Sequence, residues 1–253
     1  MIFLCPTSRL FHTITITRTS NRIGPHNLDV ISVLVGCLLG DAYAVKTKNK
    51  KDLPGTKFRF KQSGRHKAYL FFLYEFFENR GYCTNSGPRE YKTILIKAAN
   101  KKPKTYYRYE FDIFTFSSLN WLYDLFYLNG IKMISYEILN YLTPMSIAFL
   151  LMDYGTWVSG SKSVRISTNN FTLQEVELLR DTFKAKFNLD CTIQLLTKKG
   201  LISDLPKDKY SLYIKVSSLL RLRELVLPYM HSSMLYKLGM RTAKAGTAKA
   251  VIN

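Results

Sequence analysis

Two apolar runs in this sequence each stop at an acid. "LVGCLLGDA", residues 34–42, runs out at Asp41, and "IAFLLMDYG", residues 147–155, runs out at Asp153 with Tyr154 behind it. An acid in such a place can be no more than the polar end of a buried helix. Two such helix ends brought together can do chemistry, because carboxylates facing a phosphodiester hold divalent cations. The metal neutralises charge built up on the phosphate, and a bound water becomes the nucleophile. Gly36 and Gly40 stand four apart, on one face of a helix, where they allow a second helix backbone to approach closely. Tyr154 then poses the question: it is either an ordinary helix-end residue or the occupant of a position that calls for a second carboxylate.

The elements that must position these groups come in duplicate. "TFSSLNWLYDLFY" (115–127) lies a hundred residues before "KVSSLLRLRELVL" (215–227), each a strand end, a Ser-Ser helix cap and an amphipathic helix. Upstream, "KQSGRHKAYLFFLYEFFENRGYCT" (61–84) parallels "TNNFTLQEVELLRDTFKAKFNLDCT" (168–192), a polar turn and a helix followed by a cysteine near the next strand. Thr172 with Glu175 has the pattern of a capping box, and Gly81 and Asn188 are placed to stop their helices. Each half is headed by an apolar helix, Val30 to Asp41 after Asn27 and Pro144 to Asp153 after Thr143, with proline suited to the first helical position. Segments such as "KFRF" (57–60) and "VRIS" (164–167) alternate with period two, placing basic side chains on one face of a strand and apolar ones on the other. Each half therefore reads helix, two strands, helix, two strands, helix, an α+β chain with approximate twofold symmetry. The divisions expected are a basic N-terminal arm or leader at 1–25, repeats at 26–135 and 136–240, and a low-complexity flexible tail at 241–253.

Charge names the partner class. Against 18 acids stand 37 lysines and arginines, a net +19 over 253 residues, and such a field draws a polyanion or an acidic membrane surface. Nucleic acid leads, with binding that should weaken steeply in salt as condensed counterions are released. Val30 to Gly40, the longest apolar stretch, is about half the roughly 20 residues needed to cross a bilayer, so no membrane span is expected. Cys5, Cys37, Cys83 and Cys191 are scattered with no CxxC, which argues against a zinc site or a disulfide framework and for buried thiols. The first 25 residues carry Arg9, Arg18 and Arg22, many Ser and Thr and no acid, as an organelle transit peptide does; a basic flexible arm, or upstream coding sequence read in frame, explains them equally.

The paired motifs, each heading one copy of the repeat, together with "NYLTPMS" (140–146) and "SMLYKLGM" (233–240), resemble the LAGLIDADG homing endonuclease and maturase family in its single-chain two-motif form, over residues 22–240. The resemblance implies two αββαββα repeats with the motif helices packed at the centre and two antiparallel sheets forming a DNA-binding saddle. It makes Asp41, the eighth motif residue, a catalytic metal ligand, while Tyr154 fills that position in the second copy, "DYG" where the family more often has "DDG". Asp153, the seventh residue, is the remaining acid for a metal; one helical position means a swing of about 100° and a 1.5 Å rise, which directs its side chain elsewhere unless the last turn is distorted. Lys132 and Lys237 resemble the family's lysines that stabilise phosphate charge, the alternative being solvated helix-end lysines. Gln62 and Asn169 are the amides expected to orient water. Strict alternation would send Gln62 inward, however, and a bulge or a register change decides.

Nucleic-acid contacts are expected from Lys46, Lys48, Lys57, Arg59, Lys61, Arg89, Lys92 and Lys97 in the first half and from Arg165, Lys198, Lys199, Lys207 and Lys209 in the second, with strands entering the major groove. The implied function is an intron-encoded endonuclease acting as a monomer on a long double-stranded DNA site. Its Mg²⁺-dependent hydrolysis is impaired at Tyr154. The alternative is an RNA-splicing maturase that binds its group I intron without cutting DNA. The family implies a mitochondrial setting.

Overall fold

The computed structural model describes residues 24–47, 54–95, 103–195 and 209–240. In chain order these form α1 (Leu28–Leu39), β1 (Tyr43–Thr47), β2 (Gly55–Ser63), α2 (Lys67–Glu78), β3 (Arg89–Leu95), β4 (Lys104–Asp112) and α3 (Asn120–Phe126). A short hairpin comes next, β5 (Tyr127–Leu128) and β6 (Ile131–Lys132), and then the one-turn α4 (Tyr136–Asn140). The series then begins again with α5 (Pro144–Tyr154), β7 (Gly155–Val158), β8 (Ser163–Ser167), α6 (Leu173–Phe187), β9 (Cys191–Leu195), β10 (Tyr210–Ile214) and α7 (Leu219–Val226). The expected α+β repeat αββαββα is present twice, and the two sheets share one strand order, β1-β2-β4-β3 and β7-β8-β10-β9, antiparallel throughout.

The chain packs as two compact units that do not coincide with the sequence repeats: Ala42–Tyr123 lies in one, while His26–Asp41 joins the chain from Asp124 onward in the other. The first motif helix thus belongs, by its packing, with the second repeat. Its own composition explains this. Every residue of α1 from Val30 to Leu39 is buried, as befits a helix apolar all round. Its glycines admit α5 so closely that a Cβ on Gly36 would lie 2.9 Å from Phe149 Cβ and nearer still to the Ser146 carbonyl oxygen.

Local signals act as the sequence predicts in most places. Pro144 opens α5 and Thr143 caps it, its Oγ1 accepting from Ser146 N at 3.1 Å; Ser146 completes a capping box that the sequence did not advertise, serine standing where Glu or Gln is usual. The Thr172–Glu175 box starts α6 as expected, and Glu175 Oε1 also accepts from Ile134 N at 2.7 Å, tying the α4 approach to that helix. Gly81 (φ 74°) and Asn188 (φ 55°) take the left-handed conformation past their helices. The Ser-Ser pairs are a correction: each enters a 3₁₀ turn, Ser117–Leu119 and Val216–Ser218, before the α-helix proper, and Ser218 caps nothing, its Oγ accepting from Asp190 N at 2.8 Å instead.

In the first unit α2 covers one face of the sheet, with Phe58, Phe60, Leu70, Leu73, Phe77 and Phe111 buried and the Phe60 and Phe111 rings stacked at 4.8 Å. In the second, Val164, Ile166, Leu212 and Ile214 form the buried side of the sheet. Cys37 and Cys83 are buried and in no disulfide, while Cys191 is only half-buried. Among the described residues no helix is long and apolar enough to cross a membrane. The expected leader and tail lie outside the described residues, apart from Gly24 and Pro25.

Candidate functional site

The second unit brings Asp41, Asp153, Tyr154, Lys132 and Lys237 together. Helix α1 stops at Gly40, and the next residue, Asp41, donates its backbone N–H to Asp153 Oδ2 at 3.1 Å. The Asp153 carboxylate, which helix geometry would direct elsewhere, lies against the tip of the other motif helix. A Cβ on Gly40 would fall 2.9 Å from Asp153 Cγ, so glycine is what leaves room for it. Tyr154, the last residue of α5, sets its phenol beside the Asp41 carboxylate, with the Asn170 side chain also near it. Burial first, then the charges of Asp41 and Asp153, push the Tyr154 phenol up to about 12, so it remains a neutral donor at any ordinary pH.

The two lysines play matching parts. Lys132 Nζ donates to Leu38 O at 2.7 Å and to Gly40 O at 3.3 Å, the carbonyls that end α1. Lys237, in a 3₁₀ segment (Ser232–Leu238), donates to Asp153 O at 2.7 Å and to Met152 O, the carbonyls that end α5. Each satisfies otherwise orphaned carbonyls and sets a cation at the negative end of a helix dipole. They are helix-end lysines, but not solvated ones: Lys237 is buried at 5% exposure. Burial lowers both, with Asp153 and Asp41 pulling the other way, and it holds Lys132 down to about 8.

This carries a pH signature. An unfolded chain whose Lys132 titrates near 10.5 binds more protons than the folded one between about pH 8 and that value, so stability rises with pH across the window. The destabilisation from burying the ammonium is present in full below about pH 8. Urea unfolding of Lys132→Met, which cannot titrate, should show a smaller gain in stability between about pH 7.5 and 9.5 than the unsubstituted chain shows. Equal gains would mean that the ammonium is not desolvated.

The expected amides fare differently. Strand β2 keeps strict alternation to its end, with no bulge, so Gln62 lies on the buried side and its Oε1 sits 3.2 Å from His66 Nδ1. Asn169 is exposed in the turn after β8, and it is its neighbour Asn170 that reaches Tyr154. The doublet "NN" was visible in the sequence, but one-residue resolution within a turn was not.

The basic face of the first sheet is real, and it is more structured than a row of cations. Lys57, Arg59, Lys61 and Arg89 share one face with two acids of β4, Asp112 and Glu110, through the pairings Arg59↔Asp112, Lys61↔Glu110 and Arg89↔Glu110. Lys46 and Lys92 are corrections: their partners Thr56 and Tyr107 place them on the reverse face, with Lys46 Nζ over the Tyr123 ring, because every second residue of a strand points the other way. On the second sheet Arg165 stands opposite Tyr213 and Thr156, the one cation among the described residues of strands β7, β8, β9 and β10, with Lys209 exposed just before β10. Lys48, Lys97, Lys198, Lys199 and Lys207 lie outside the described residues. The acids of β4 went unread, although "RYEFD" (108–112) places Arg108, Glu110 and Asp112 at the same period of two that marked the lysines.

Two motif helices locked tip to tip by glycines and an acid, with two sheets of one topology, define the two-motif architecture that the repeat foretold. Residues 31–222 match the model of the LAGLIDADG DNA endonuclease family, and the chain belongs to that family. It is 41% identical over 170 residues to an intron-encoded endonuclease ai4 of Dictyostelium discoideum, covering 67% of this chain and 99% of the relative. It is also 33% identical over 215 residues to a cytochrome b mRNA maturase bI2 of Debaryomyces hansenii, covering 85% and 75% respectively. Among solved structures, the homing endonuclease I-WcaI bound to its DNA recognition sequence superposes with a TM-score of 0.69 at 26% identity, over 93% of this chain and 94% of that one.

Proposed function

We propose that this chain binds a long double-stranded DNA site through the polar faces of its sheets and retains a single hydrolytic centre at Asp41, so that it nicks one strand at most. The observation that carries this reading is the Tyr154 phenol at the tip of α5, beside the Asp41 carboxylate: a tyrosine, and not a second acid, stands next to the first. The relative named an endonuclease and the DNA-bound neighbour support the substrate class. Asp41 and Asp153 suit one divalent cation shared with phosphate oxygens and water, since Mg²⁺ needs only one or two carboxylates, and among the described residues no cluster of three or more His, Cys, Asp or Glu offers a fuller cage. When bound, such an ion would supply Lewis-acid neutralisation of the phosphate and an activated water. Asp41 would hold it, Lys132 and Lys237 would hold the helix tips in place, and Asn170 and Tyr154 would fix the Asp41 carboxylate.

A second reading is a splicing maturase that binds its own group I intron. The phenol beside Asp41 favours it, as do two relatives at 33% and 32% identity named as cytochrome b mRNA maturases; under either reading we propose a mitochondrial setting. Incubation of the purified protein with Mg²⁺ and a duplex carrying the joined exon sequence separates them. A nick in one strand that Asp41→Asn abolishes supports the first. Tight binding and faster splicing of the intron transcript, unchanged by Asp41→Asn and with no cleavage at any metal concentration, would establish the second in its place.

A further inference from the structure

We propose that Asp112 and Glu110 are positioning residues that decide sequence selectivity on the first sheet: they orient Arg59 and Arg89 for reading base edges and keep those cations from being captured indiscriminately by phosphate. The inference rests on the reading of this face as a nucleic-acid surface.

The geometry is a clamp and not a scatter of surface pairs. Arg59 grips Asp112 through two nitrogens, Nε to Oδ1 at 2.5 Å and Nη2 to Oδ2 at 3.0 Å, while its Nη1 donates to the Tyr43 hydroxyl at 3.2 Å. Its whole guanidinium is thereby fixed. Arg89 Nη2 bridges both acids, 3.1 Å from Asp112 Oδ2 and 3.3 Å from Glu110 Oε1, and Lys57 and Lys61 close on Asp112 and Glu110 at 3.4 and 3.7 Å. Tyr91 donates to Glu110 Oε1 at 2.9 Å. Both acids are well covered, with side-chain exposures of 15% and 6%, whereas Arg89 is 54% exposed. Burial would raise the Asp112 carboxyl, yet hydrogen bonds from Arg59 and Arg89 hold it below the usual range, so it stays charged.

Placing largely covered anions against a half-covered Arg59 and an exposed Arg89 does two things. An arginine held by a bidentate carboxylate presents its remaining donors with little rotamer freedom left to lose, which suits recognition of guanine O6 and N7. The same anions cancel part of the field a phosphate backbone would otherwise feel, which weakens sequence-independent binding, the component that releases counterions. Reduced non-specific affinity together with oriented donors is selectivity.

The test uses the full chain with Asp112→Asn and Glu110→Gln, separately and together, on a mixed-sequence duplex of about 30 base pairs titrated across KCl concentrations. Cations released from the acids should each take up about one phosphate, so the slope of log affinity against log salt should steepen by about one to two and mixed-sequence affinity should rise. In parallel, selection from a randomised duplex should return a weaker base preference than the unsubstituted chain returns. A purely structural role would lower the melting temperature and weaken binding, leaving the slope flat or shallower, and that result overturns the inference. Asp112→Glu guards against misfolding of the neutral variants: it keeps the charge and shifts the carboxylate, so it should alter base preference with the salt slope unchanged. Absence of any salt-dependent duplex binding by the unsubstituted chain would remove the nucleic-acid reading itself, a different failure from a variant that binds as its parent does.

Discussion

Tyr154→Asp should yield a protein that cuts both strands of its DNA target in Mg²⁺, raising second-strand cleavage by about a hundredfold or more, the scale of one charge-stabilising group in an active site. The change does two things at once. It removes the phenol beside Asp41, and it supplies a carboxylate at the end of α5 where the family's second motif more often has one. Tyr154→Phe separates the two: it frees the Asp41 carboxylate without adding another, so it should leave single-strand nicking intact or faster and still not cut the second strand. Tyr154→Asp also gathers a third carboxylate beside Asp41 and Asp153, whose mutual repulsion should lower stability in EDTA and be relieved by Mg²⁺, giving a melting temperature that rises with added metal. No second-strand cleavage together with no metal-dependent melting would mean that the rest of the site cannot hold an ion, and the single-carboxylate account would fall.

Gly36→Leu should be among the most damaging single changes to stability in the second unit. Even a Cβ at this position would meet the Ser146 carbonyl oxygen and, at 2.9 Å, Phe149 Cβ, both parts of the rigid α5 contact and not the ends of flexible side chains. Overpacking of this sort typically costs about 1–3 kcal/mol, and a leucine that forces two backbones apart belongs at the top of that range or above. At roughly 2–4 °C per kcal/mol for a chain of this size, the melting temperature should fall by about 6–12 °C. The damage should reach function as well. Separating the helices breaks the Asp41 N–H to Asp153 bond, so nicking should be lost while binding to a mixed-sequence duplex persists on the first unit's sheet. A variant with unchanged melting temperature would show that α1 and α5 have slack that the close contact denies.

The motifs were legible because their physical demands are local. A helix apolar on all sides must be buried, a glycine pair four apart must admit a neighbour, and Thr143, Pro144 and Thr172 announce helix starts within a few residues. The repeat multiplied that information, since two weak signals at matching positions become one strong one. The failures share a different cause. Lys46 and Lys92 group with the basic residues by proximity in sequence, but a strand reverses side with every residue, so a position off by one is on the wrong face; the same alternation turns Gln62, an amide the family resemblance implies, inward. Asn170 was missed in favour of Asn169 for a related reason, since turn geometry and not residue type decides which amide reaches the phenol.

Periodicity, composition and matched spacing along one chain were enough to specify the two acid-tipped helices, the duplicated αββαββα order and the net positive charge. What those groups touch was set by how the elements pack. That Asp153 crosses to the Asp41 backbone, that the Tyr154 phenol lies beside Asp41, that two lysines a hundred residues apart end the two helices, and that Asp112 and Glu110 hold the arginines of the first sheet's basic face are all contacts between distant segments. Hydrogen bonds form or fail over a few tenths of an ångström and depend on angle, and that precision arises when helices and strands pack against one another, not from the order of residues along any one of them.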